Sequence, residues 1–209
     1  MNYSTYIFDF DGTLADTSSC IVVSTSEALE YFGFQKVSQS EIRKHLGLRL
    51  DELFSLLGVG QEKLQDVIKV YKERYAKNSD KLVELFPGVS ETLESLKDKT
   101  LVVASNKSKI ALVDSLGKLG ILNYFSLVFG GDDVINGKPN PEMLEKIFQL
   151  IKVNKGEAVM IGDTIFDLQL ARNFGIPSIG VLWGTHTEKE LKLEKPVKLL
   201  KNIGGLKLM

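Results

Sequence analysis

The chain has 209 residues, 44% hydrophobic and 25% charged, the make-up of a globular protein rather than a disordered or fibrous one. Lys and Arg total 26 against 27 Asp and Glu, a formal net charge of -1, which excludes a general attraction to nucleic acid or to an anionic membrane surface. Cys20 is the one cysteine, so no intrachain disulfide framework forms, and no run approaches the roughly 20 apolar residues that span a bilayer.

In chain order, Tyr6-Ile7-Phe8 is a short apolar run stopped by Asp9-Phe10-Asp11-Gly12-Thr13. This predicts a buried first strand over 1–9 running into a tight turn. The aspartates arrive before any apolar stretch long enough for a signal peptide, and a cytoplasmic location is expected. Beyond them the spacing turns helical. Ile21, Ala28, Leu29 and Phe32 share one face, Gly33 follows as a stop, and Cys20 is expected to be buried on that helix. Ser38-Gln39-Ser40-Glu41 has the form of a capping box opening a second helix. Leu64, Val67, Ile68, Tyr71 and Tyr75 make a further helical stripe. Residues 16–85 are therefore expected to be an inserted α-helical domain whose stripes are core packing.

From Pro87 onward strands and helices alternate. Leu101–Ala104, Leu127–Phe129, Ala158–Ile161 and Ile179–Val181 are short, apolar and β-rich, as suits a parallel sheet covered on both faces. Asn140-Pro141 opens a helix with Asn as N-cap and Pro at its first position, followed by Leu144, Ile147, Phe148 and Ile151. The Lys-rich tail from Lys189 to Lys207 reads as a solvated helix face and a closing strand. The fold class is α/β, a doubly wound, Rossmann-like parallel sheet formed by 1–15 and 86–209, with the helical segment inserted after the first strand.

Ligands bind such sheets beyond the carboxyl ends of the strands. Four predicted strand ends, or the loops after them, carry reactive groups: Asp9 and Asp11; Ser105, Asn106 and Lys107; Lys138; and Asp163 with Asp167. Singly, each has a plain structural explanation as a turn, a helix cap or a solvated lysine. Together they converge on one small volume if the sheet is parallel. Four carboxylates there would repel and take up protons unless a hard cation joined them, and Mg²⁺ accepts carboxylate oxygens together with water and substrate phosphate. A lysine, a hydroxyl and helix-start N–H groups around the ion make a pocket for a phosphate dianion, the parts of a phosphoryl-transfer site.

The same motifs resemble those of the haloacid dehalogenase superfamily, in particular its phosphoglycolate-phosphatase-like members with a helical cap after the first strand. Asp9-Phe10-Asp11-Gly12-Thr13-Leu14 is similar to the nucleophile motif, and Ser105-Asn106-Lys107 to the phosphate-binding second motif. Lys138-Pro139-Asn140-Pro141 resembles the third, and Gly162-Asp163-Thr164-Ile165-Phe166-Asp167 the acidic fourth. The resemblance implies a Mg²⁺-dependent phosphatase acting on a small phosphorylated metabolite. In it Asp9 is nucleophile, Asp11 acid–base, Ser105 and Lys138 are catalytic, and Gly12, Thr13, Asn106 and Lys107 bind substrate. Asp9, Asp11 (through its carbonyl), Asp163 and Asp167 would hold the metal. Asp11, Asp163 and Asp167 together argue for phosphate rather than dehalogenase chemistry, since a neutral carbon electrophile needs neither metal nor proton donor.

His45-Leu46-Gly47-Leu48-Arg49 is the expected substrate-facing loop of the cap, with Arg49 able to grip a carboxylate or second phosphate bidentately. His45, Trp183 and His186 are expected to pack or to line a rim. Three alternatives stay open. A phosphomutase resembling β-phosphoglucomutase would carry an arginine three residues after the loop glycine, where Leu50 stands. Inorganic pyrophosphatase and a phosphate-binding module without turnover are the others. A monomer or small homo-oligomer, with no nucleic acid or membrane partner, is expected.

Overall fold

The computed structural model describes residues 3–208. The chain forms two compact units, one made of the residues up to Asp16 and from Leu85 onward, the other of Thr17–Glu84.

The second unit is helical: α1 (Ser18–Tyr31), α2 (Gln39–Arg43), α3 (Leu50–Leu56) and α4 (Gln61–Leu82). The stripe Leu64, Val67, Ile68, Tyr71 and Tyr75 on α4 is buried against Cys20, Ala28 and Leu29 of α1 and Phe54 of α3, with Ile21 and Phe32 at the margin of this core. Gly33 follows α1 at φ +72°, the left-handed geometry that lets a helix stop without strain. The reciprocal box expected at Ser38 is only half formed. The Ser38 hydroxyl accepts from the Glu41 N–H, but the Glu41 carboxylate turns away to Lys44, 2.6 Å distant. For a carboxylate, a charged donor one turn on is a stronger partner than a neutral N–H already open to water.

The first unit is built on the sheet. Its strands are β1 (Thr5–Phe8), β4 (Thr100–Ala104), β5 (Leu127–Phe129), β6 (Ala158–Gly162), β7 (Ser178–Val181) and β8 (Lys198–Leu200), while β2 (Ala15–Asp16) and β3 (Glu84–Leu85) form a separate pair. The sheet order is β5-β4-β1-β6-β7-β8, and every pairing is parallel. Connecting them are α5 (Val89–Ser95), α6 (Lys109–Lys118), α7 (Glu142–Ile151), α8 (Ile165–Phe174) and α9 (Glu188–Leu193). Side chains alternate across a strand, so Ile7, Val102, Ala104 and Met160 share one face. They pack there with Met143, Leu144 and Ile147 of α7 and Leu170 and Ala171 of α8. Burial on both faces is why these strands read as continuous apolar runs.

Helix α7 begins one residue later than the sequence predicts, with Pro141 at the cap; Asn140 still takes the Glu142 N–H on its Oδ1 at 3.0 Å. The lysine-rich tail supplies α9 and β8, and its lysines are exposed while Leu191, Leu200, Ile203 and Leu206 are buried. A short 3-10 helix at Ile203–Leu208, unforeseen in the sequence, contributes two of these.

Strand order reverses direction between β1 and β6, with β4 and β5 lying to one side of β1 and β7 and β8 beyond β6 on the other. At such a switch point the adjacent connections leave for opposite faces and open a crevice. In register, Phe8 of β1 lies between Val103 and Ile161, so Asp9, the Ala104–Ser105 junction and the Gly162–Asp163 junction come out side by side.

Candidate active site

Asp9 is the first residue past β1, and its N–H donates to the Ile161 carbonyl at 2.9 Å, still in the ladder. The chain then turns at once. The N–H groups of Thr13, Leu14 and Ala15 all reach the Phe10 carbonyl, and Phe10 itself is fully buried as the anchor of the turn. Gly12 sits at φ +83°, and a Cβ there would lie 2.3 Å from Asp163 Oδ2. Both the backbone geometry and the close approach demand glycine.

Asp9, Asp163 and Asp167 are buried and each presents one oxygen within 4.8 Å of the others. Lys138, also buried, places its Nζ 2.7 Å from Asp9 Oδ1 and 2.6 Å from Asp167 Oδ1. Burial pushes the Asp9 carboxyl well above its ordinary value; Lys138 pulls the other way, and the neighbouring acids add to the rise. Burial likewise raises Asp163, to about 6, with Asp167 contributing. For Lys138 burial disfavours the charge, yet Asp167 and Asp9 outweigh it and the ammonium is held more firmly than usual. Three buried carboxyls share one ammonium in a water-poor space, an excess of acid over cation. That excess, with all-oxygen donors, fits a hard divalent cation.

Each of these side chains is held by a different element. Asp167 lies in the first turn of α8, where its Oδ2 accepts from the N–H and hydroxyl of Thr164 at 3.1 and 2.7 Å, leaving Oδ1 for Lys138. Gly162 makes room for it, since a Cβ there would be 2.3 Å from the Asp167 Cβ. Asp163 is fully buried and accepts from the Thr13 hydroxyl on Oδ1 at 2.9 Å and from the Thr185 N–H on Oδ2 at 2.7 Å. The Lys138 loop is pinned twice, its own N–H donating to Asn106 Oδ1 at 3.0 Å and the Asn173 amide donating to the Pro139 carbonyl at 2.9 Å.

Ser105 is buried just past β4, its N–H on the Phe129 carbonyl and its Oγ accepting from the Lys107 N–H. Lys107 Nζ lies 3.1 Å from Asp11 Oδ1 and 5.7 Å from the centre of the Phe10 ring. The Asp11 carboxylate thus faces Lys107, while the three-acid cluster consists of Asp9, Asp163 and Asp167. Arg49 belongs to the helical unit, at the start of α3, where its Nε is 3.4 Å from Asp51 and its N–H donates to Glu52. In the same unit His45 Nε2 lies 3.5 Å from Glu41.

From sequence, Trp183 and His186 have no part beyond packing or a rim. In the structure Trp183 Nε1 donates to the Thr13 carbonyl at 3.1 Å, and His186 Nδ1 accepts from the Ile165 N–H at 2.8 Å. Burial keeps His186 below its usual pKa, against the pull of Glu190 and Asp167, which favours the neutral ring that such an acceptor needs. Gly184 and Thr185 carry no sequence signal of their own either, while Thr164 stands inside the fourth motif without its contact to Asp167 being foreseen. Several of these contacts use main-chain groups, which no residue type advertises. One signal is present: Trp183–His186 follows another strand end on the same side of the sheet.

Comparison with known proteins agrees with this geometry. The family description "Haloacid dehalogenase-like hydrolase" matches residues 6–181. "Probable phosphatase IndB" of Dickeya dadantii is 36% identical over 199 residues, covering 91% of this chain and 86% of that protein. "Pyrophosphatase PpaX" of Halalkalibacterium halodurans is 28% identical, covering 99% and 96%. "Phosphoglycolate phosphatase" of Vibrio parahaemolyticus is 29% identical, covering 90% and 88%. Among solved structures, a Bacteroides fragilis protein assigned to the haloacid dehalogenase-like hydrolases superposes with a TM-score of 0.92 at 29% identity, covering 98% of this chain and all of that one.

Proposed function

The chain belongs to the haloacid dehalogenase-like hydrolase family, and we propose that it is a Mg²⁺-dependent phosphatase that hydrolyses small phosphate monoesters through an aspartyl-phosphate on Asp9. The observation carrying this reading is the buried cluster of Asp9, Asp163 and Asp167 bridged by Lys138. Its chemistry is that of phosphoryl transfer, where positioning and charge neutralisation do nearly all the work.

In this reading an Asp9 oxygen forms a bond to phosphorus as the ester P–O bond breaks, and Asp11 gives a proton to the leaving oxygen. Water then attacks the acyl phosphate, with Asp11 taking its proton, and Asp9 and inorganic phosphate are released. Lys138 offsets charge shared between Asp9 and the phosphoryl group. The Ser105 hydroxyl, the Asn106 N–H, Lys107 and the Gly12–Thr13 turn bind phosphoryl oxygens. Mg²⁺ held by Asp9, Asp163, the Asp11 carbonyl and Asp167 would neutralise the phosphoryl oxygens. Thr17–Glu84 is read as a cap domain, and the planar guanidinium of Arg49 suits a carboxylate or second phosphate.

2-Phosphoglycolate is the first substrate to test, as a relative's name suggests. Inorganic pyrophosphate is the second reading, favoured by the PpaX relative that spans 99% of this chain. A panel of phosphorylated metabolites including pyrophosphate and β-glucose 1-phosphate, ranked by kcat/KM with Mg²⁺ or EDTA, separates these. Metal-dependent release is expected, and Asp9→Asn is expected to cut turnover at least ~10³-fold while substrate still binds. A silent panel would favour phosphate binding without turnover, and near-normal activity of Asp9→Asn would remove Asp9 as the nucleophile.

A further inference from the structure

The turn after β7, Trp183-Gly184-Thr185-His186, supplies no group to the reaction proposed above, yet all four of its residues bear on Asp163 or on a residue bonded to it. The Thr185 N–H donates to Asp163 Oδ2 at 2.7 Å. The His186 N–H donates to the Asp163 carbonyl at 3.3 Å, and the His186 ring takes the first N–H of α8. Trp183 Nε1 holds the Thr13 carbonyl, and the Thr13 hydroxyl holds Asp163 Oδ1. Gly184 lies so close that a Cβ on it would be 2.3 Å from the Asp163 Cβ.

A buried carboxylate beside two others is under electrostatic pressure to rotate away from them. Asp163 resists because both of its oxygens are tied, one to a side-chain donor and one to a main-chain donor, and Gly184 leaves no slack beside its Cβ. Each oxygen keeps a second lone pair for a cation. Partners of this kind fix a ligand's direction, and their loss typically weakens metal affinity by about 10–100-fold.

We propose that the Trp183–His186 turn is the orienting support of Asp163, and that Gly184 and Trp183, the latter through Thr13, are positioning residues that set the protein's affinity for a divalent cation. The proposal rests on the reading of Asp163 as a metal ligand.

The test is Mg²⁺ binding by isothermal titration calorimetry on the substrate-free full chain, comparing wild type, Asp163→Asn, Gly184→Ala and Trp183→Phe, with melting in EDTA alongside. Gly184→Ala is expected to weaken Mg²⁺ binding at least tenfold, as the new methyl displaces Asp163. Trp183→Phe keeps the ring beside Phe86 but loses the N–H, and is expected to bind Mg²⁺ several-fold more weakly with its EDTA melting temperature little changed. In turnover the same variant should need more Mg²⁺ for half-maximal rate while KM for the phosphate ester at saturating Mg²⁺ stays within about twofold, a split that general loosening of the fold would not produce. If Asp163→Asn loses Mg²⁺ but Trp183→Phe binds it as wild type does, the turn is mere packing and the inference fails alone. If wild type takes up no Mg²⁺, or Asp163→Asn binds it normally, the metal reading falls and the inference with it. Should Gly184→Ala not fold, Trp183→Phe decides.

Discussion

Lys138 reaches two acids from different elements, Asp9 past β1 and Asp167 in α8, and both contacts are short and buried. Replacing it with Met would leave those carboxylates facing each other without a cation. Breaking a buried pair from one side costs on the order of 3–5 kcal/mol, because the remaining charge is stranded. Lys138→Met is therefore expected to melt well below wild type in EDTA at pH 7, and a loss equivalent to less than about 1 kcal/mol would contradict the balance described for the site. The lysine's identity as a candidate was legible from the Lys138-Pro139-Asn140-Pro141 motif in the loop after a predicted strand. That it touches Asp167 as well as Asp9 was not, because contact between residues 29 apart in sequence depends on how α7 and α8 pack against the sheet. Thr13 and Asn106 make the same point. Both stand in recognisable motifs, but the Thr13 hydroxyl donates to Asp163 and the Asn106 side-chain oxygen accepts from the Lys138 N–H.

Among the elements, the strands were the easiest to read. Parallel strands buried on both faces become uninterrupted apolar runs, and β4, β5, β6 and β7 lie where such runs occur. Helix ends were legible to within a residue, as at Asn140–Pro141, since caps follow local hydrogen bonding. The opening of α2 shows the limit. Sequence predicts a reciprocal box, but Glu41 has Lys44 and His45 within reach and pairs with them. Ser38→Ala is accordingly expected to cost about 1 kcal/mol. Glu41→Gln removes only an exposed ion pair and is expected to lower stability far less than Ser38→Ala does. A double-mutant cycle on denaturant unfolding should find the two effects additive, whereas a working box would couple them.

For the whole molecule, the net charge of -1 conceals a strongly uneven interior, with three buried acids gathered around one lysine at the β1/β6 switch point. The carboxyl of Asp163 has a folded pKa of about 6 against an ordinary 3.8. Between those values the metal-free folded state binds more protons than the unfolded state, so stability is present below about pH 4 and is lost as pH rises through about 6. A rise of that size corresponds to about 3 kcal/mol. In EDTA, the melting temperature of wild type relative to Asp163→Asn should therefore fall between pH 4 and pH 7, and Mg²⁺ at about 100 times its Kd should return on the order of 2.7 kcal/mol at neutral pH to wild type alone. A difference that stayed flat with pH would show that Asp163 is not under this strain. The sequence by itself determined the alternation of apolar strands and amphipathic helices, the glycines that end or bend them, and the acids and lysine past the strand ends, because those depend on local periodicity and steric limits. Only the tertiary structure decided which acid faces which cation, and that the Trp183–His186 turn closes on Asp163. Those pairings join strand ends far apart in the chain, and one of the donors is a main-chain N–H that every residue but proline possesses.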